Sequence, residues 1–97
     1  MIDFDRLTIT DEVVARIARS PDERLRALLS SAVRHLHDFA RETALTRVEW
    51  MAGIAFLTAV GKACTPEHQE FVLLSDTLGL STLMNLLDDE AGDPGGT

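Results

Sequence analysis

Residues 46–64, TRVEWMAGIAFLTAVGKAC, are apolar on nearly every side of the helix they can form. Thr46 and Glu49 have the spacing of a capping box, with the Thr46 hydroxyl and the Glu49 carboxylate each able to take a free N–H of the first turn. Leu45 and Trp50 flank that start as a hydrophobic staple. Polar residues are few: Arg47, Glu49, Thr58 and Lys62. A helix apolar most of the way round must sit centrally in a bundle or be shared with a partner chain. Gly53 and Gly61 each cost about 1 kcal/mol against alanine inside a helix, so a close neighbouring helix is the expected return. The run is just long enough to span a bilayer. Lys62, the glycines and threonines, and the lack of a flanking basic cluster argue against a membrane span.

The rest of the chain reads as helices packed onto this one. Thr65-Pro66-Glu67 predicts a second start, with a cap, a proline at the first helical position and an acid in the first turn. Phe71, Leu74 and Leu78 form one stripe beyond it; Leu73, Leu80, Met84 and Leu87 form another. Gly79 predicts a break there, with Ser81 as a new cap and helices of about 12 and about 9 residues on either side. Upstream, Thr10-Asp11-Glu12 opens a short helix to residue 18 or 19. Ser20-Pro21-Asp22-Glu23 opens a long one to about Ala44, with Ser20 as cap. Its apolar residues, from Leu25 to Ala40, recur in steps of three and four. Residues 1–8 read as an extended arm. No stretch shows the alternation of a strand. The expected fold is all-α, a small bundle of four to five helices completed by dimerisation. The domain is expected over 1–90, with 91–97 a flexible tail or linker stub.

Composition narrows the function. The 97 residues, 45% hydrophobic and 26% charged, suit one small globular domain with a modest core. A formal charge of −7 argues against nucleic-acid binding and against attraction to anionic membranes. A single cysteine makes no internal disulfide, and MIDFDRLTIT lacks a signal-peptide pattern. The expected location is the cytoplasm.

Candidate chemistry is sparse. His35 and His37 lie two apart and point about 200° from one another on a helix, so they cannot share a metal. The plain reading is one histidine at a helix interface and one in solvent. His68 reads as a surface residue of a first turn. Cys64, near Lys62 and His68, has no second cysteine and reads as a structural thiol. Glu67, Glu70 and Asp76 read by default as a solvated face.

The wording of three runs carries a resemblance. QEFVLLSDTLGLSTL at 69–83, EWMAGIAFLTAVGKAC at 49–64 and RHLHDF at 34–39 resemble, in order, the N-terminal helical domain of intradiol ring-cleaving dioxygenases. These are the catechol and hydroxyquinol 1,2-dioxygenases. The resemblance covers about residues 8–90 and implies a dimerisation and linker role in aromatic catabolism. It also implies a tunnel holding a phospholipid or fatty acid, and a ferric ion held by two tyrosines and two histidines in a separate β-sandwich. This chain has no tyrosine. It is therefore expected to hold no metal and to be inactive by itself. Its end reads either as a missing catalytic domain or as a stand-alone helical dimer for a hydrophobic ligand. The resemblance assigns Leu73 and Asp76 to the substrate pocket, Asp76 favouring a ring with an extra hydroxyl. Trp50, Ile54, Leu57 and Gly61 are expected to face a second copy or a lipid.

Overall fold

A computed structural model describes residues 8–92. All of the expected N-terminal arm but Thr8, and residues 93–97 of the expected tail, lie outside them. Five helices follow one another: α1 (Ile9–Ile17), α2 (Glu23–Thr43), α3 (Arg47–Ala63), α4 (Glu70–Thr77) and α5 (Leu80–Gly92). The all-α expectation holds. The chain divides into two compact units, Met1–Arg47 and Val48–Thr97.

In the first unit α1 packs on α2. Thr10, expected as a cap, is instead the second residue of α1, with Thr8 at the N-cap. It is the one buried residue among those described, at 6% exposure. Arg41 Nη2 donates to its Oγ1 at 2.5 Å, and His37 Nδ1 lies 2.6 Å from the same oxygen. Arginine only donates, so the hydroxyl proton is left for Nδ1. Arg34 reaches Asp11 at 3.6 Å, a second polar tie between the two helices. The start of α2 is held by Asp22, not Ser20. Asp22 Oδ1 accepts from the Leu25 N–H at 2.9 Å. Ser20 lies two residues too early for that bond, and its carbonyl accepts from Arg26 Nη1 instead. At the far end Ala44 turns left-handed at φ 51°. The Leu45 N–H then reaches the Ala40 carbonyl and the Ala44 N–H reaches that of Arg41, which closes the helix.

In the second unit α3 begins one residue after Thr46 and runs as the sequence predicts. The next start is later than expected. The N–H and carbonyl of Thr65 pair reciprocally with those of His68, at 2.9 and 3.1 Å. That tight turn uses the backbone groups a helix beginning at Thr65 would need, so α4 begins only at Glu70, with Gln69 at its N-cap. The predicted break is present: Gly79 lies at φ +80°. Helices α4 and α5 are bent by 79° about it. They hold 8 and 13 residues, the reverse of the expected proportion. Ser81 is not a cap but the second residue of α5, its hydroxyl 2.8 Å from that of Ser75. α5 also carries helix through Gly92, two residues past the expected boundary.

A modest core within the chain was expected, and the described residues contain no buried hydrophobic side chain. Two-helix pairs such as α1–α2 and α4–α5 cover only a stripe of each helix and enclose nothing. The glycines of α3 do not mark a close helix contact either. A Cβ at Gly53 would meet nothing within 4 Å, and one at Gly61 only the Phe71 ring at 3.8 Å.

Candidate functional site

Two concavities flank α4, both within the second unit. The more apolar, about 390 Å³, runs between α3 and α4. Phe56, Ala59, Val60 and Ala63 form one wall, and Leu73 and Leu74 face them, with Glu70 and Thr77 at the margins. The steps of three and four among the α3 residues put them on one face. Trp50, Ile54, Leu57 and Gly61 occupy another face and do not line this groove. At 48%, 41% and 49% exposure, the first three present half-exposed apolar surface.

The second concavity, about 350 Å³, lies at the N-terminal end of α4. Pro66, Glu67 and His68 of the tight turn line it, followed by Gln69, Val72, Leu73 and Asp76. The structure thus brings Leu73 and Asp76 onto one wall, as three-residue spacing on a helix dictates. Leu73 is 54% exposed, so it is not spent as core packing. It borders both concavities. The Asp76 carboxylate has no hydrogen bond or ion pair among the described residues. His68 Nδ1 stands 3.7 Å from Glu70 Oε1, with the ring largely in solvent. Sequence reasoning passed over Gln69 and Val72. The signal that finds them is the later start of α4, which puts Gln69 at the mouth of the concavity rather than inside a helix.

The remaining candidates fall out as structural. His37 is tied to Thr10, while His35 is exposed and bonded to the Ser31 carbonyl at 2.9 Å. Cys64 is half-buried, its thiol directed to the Val60 carbonyl at 3.4 Å. A third concavity, about 270 Å³, is lined by Thr10, Asp11, Arg34, Asp38 and Arg41, whose charges already pair with one another. Among the described residues no three of His, Cys, Asp and Glu gather as a metal site, and the whole chain has no tyrosine. The residues present do not fit the ferric donor set that the resemblance implies. No single helix among those described is long and apolar enough to cross a membrane.

The helical fold agrees with what related proteins show. The family profile described as Catechol dioxygenase N terminus matches residues 22–94, so the chain belongs to that family, the N-terminal helical domain of the intradiol dioxygenases. The chain is 49% identical over 90 residues to the 6-chlorohydroxyquinol 1,2-dioxygenase of Cupriavidus pinatubonensis, covering 93% of this chain and 33% of that one. It is 52% identical over 80 residues to the intradiol ring-cleavage dioxygenase hqdA of Aspergillus niger, covering 82% and 24%. The crystal structure of hydroxyquinol 1,2-dioxygenase from Pseudomonas putida superposes with a TM-score of 0.83 at 46% identity, over 86% of this chain and 29% of that chain. The chain therefore spans about a quarter to a third of the length of these relatives.

Proposed function

We propose that this domain joins two subunits of an intradiol ring-cleaving dioxygenase of the hydroxyquinol type and supplies one wall of its substrate pocket. The observation that carries the reading is the absence of any buried hydrophobic side chain among the described residues, beside the exposed apolar face Trp50, Ile54 and Leu57 of α3. A helical domain that leaves such a face uncovered is stabilised by a second copy laid on it. Gly61, one turn beyond Leu57, continues the same face, with the Phe71 ring beside it. The hydroxyquinol-type names among the relatives favour a ring with an additional hydroxyl. Leu73 then packs against the ring, and Asp76 accepts the proton of that hydroxyl. Ferric iron, which supplies the ring-opening chemistry in the full-length family, is held by residues outside this chain. The apolar groove between α3 and α4 has the lining an acyl chain of a phospholipid or fatty acid requires. The acidic chain with one thiol, needing no disulfide, suits the cytoplasm.

Sedimentation velocity tests the subunit role. The chain is expected to run as a dimer, and Leu57→Asp, which buries a charge against a second copy, as a monomer with its helix content intact. A wild-type monomer at all concentrations, or a dimeric Leu57→Asp, would place the joining surface elsewhere.

A further inference from the structure

Gln69 occupies the cap position of α4 but does not cap it: its side chain makes no bond to the helix N-terminus. No other hydrogen bond of its carboxamide occurs among the described residues, and the residue is exposed. It borders the same concavity as Leu73 and Asp76. Seven residues, about two turns, separate it from Asp76, which puts both on one side of the helix. Val72 and Leu73 lie between them as an apolar floor.

We propose that Gln69 is a further specificity-determining residue of the ring pocket, donating a carboxamide N–H to the ring hydroxyl whose proton Asp76 accepts. The inference rests on the reading of Leu73 and Asp76 as pocket wall and adds the donor that this wall lacks. An ionised aspartate only accepts, whereas a hydroxyl both donates and accepts. With its O–H donated to Asp76 in a hydrogen bond, the hydroxyl keeps lone pairs that can accept from a donor. Glu67 only accepts, and His68 stands beside the Glu70 carboxylate. The Gln69 carboxamide is an uncommitted neutral side-chain donor on this wall. A ring lacking the extra hydroxyl would cover both Asp76 and Gln69 without pairing either. A site built to hydrogen-bond a substrate group rejects the analogue without it for that reason.

The test uses the iron-loaded full-length dioxygenase that carries this domain. It compares kcat/KM for hydroxyquinol and for catechol in the wild type, Gln69→Ala, Gln69→Glu and Asp76→Asn. Gln69→Ala is expected to lower the hydroxyquinol value about 10-fold and to leave the catechol value within about 3-fold. Gln69→Glu keeps the length of the side chain, removes the donor and is expected to fall at least as far. An unchanged hydroxyquinol-to-catechol ratio in both Gln69 variants, beside a lowered ratio in Asp76→Asn, overturns the role of Gln69 and leaves the pocket reading standing. Equal loss on both substrates marks Gln69 as a packing residue and overturns it too. A wild type that turns over neither ring, or an Asp76→Asn variant with an unchanged ratio, overturns the pocket reading itself and this inference with it. Iron content serves as the folding control; if Gln69→Ala loads poorly, the closer Gln69→Glu carries the comparison.

Discussion

Asp22 is the residue on which the start of α2 depends, through one bond from its carboxylate to the Leu25 N–H. The acid also meets the positive end of a 21-residue helix. Asp22→Ala is expected to lower stability by about 1 kcal/mol, read as a shift in the urea midpoint followed by circular dichroism. Ser20→Ala removes no cap bond and should stay within about 0.5 kcal/mol. A larger effect at Ser20 than at Asp22 would return the cap to where the sequence motif puts it. At the other end of α2, Ala44 holds a left-handed conformation that glycine adopts without a Cβ clash. Ala44→Gly is therefore expected to raise stability by about 0.5–1 kcal/mol in the same measurement, the reverse of the usual sign for this change.

Between elements, Gly79 decides how α4 and α5 meet. Its φ of +80° turns the chain by 79°, and Leu83 bonds back to its carbonyl as the first turn of α5. Gly79→Ala would put a Cβ into that conformation, although the space around it is open. The cost is then conformational, about 1 kcal/mol or more, visible as a lower thermal midpoint. An unchanged midpoint would mean the 79° turn does not need a left-handed residue. This break was legible in the sequence because Gly79 stands between two apolar stripes, whereas Gly53 and Gly61 sit inside one continuous run and leave α3 unbroken. Helix α3 was legible too, since its apolar run has clean ends at Thr46 and Cys64. The start of α4 was not. Thr65-Pro66-Glu67 has every local mark of a helix start, yet the Thr65–His68 backbone pairing wins, and local propensity carries no information about that competition. For the same reason Gln69 went unread as a wall residue, whereas Leu73 and Asp76, three apart on any helix, came together as their spacing requires.

At the scale of the whole molecule, the proposed dimer would make stability and association one quantity. A chain whose described residues bury no hydrophobic side chain gains little from folding alone. If, as proposed, a second copy covers the α3 face, it supplies apolar burial that the described residues lack, and the folded state should be favoured by mass action. For a dimer that unfolds to separate chains, each tenfold rise in concentration adds about 1.4 kcal/mol per mole of dimer. The thermal midpoint is therefore expected to climb by several degrees across a hundredfold range of concentration, read by circular dichroism. In Leu57→Asp the dependence should vanish and the midpoint should settle at or below the value of the most dilute wild type. A wild-type midpoint that ignores concentration would mean that the exposed face contributes nothing through a second copy. The apolar surface of α3 would then need a cover other than a second copy, and the proposed subunit-joining role of this face would fall.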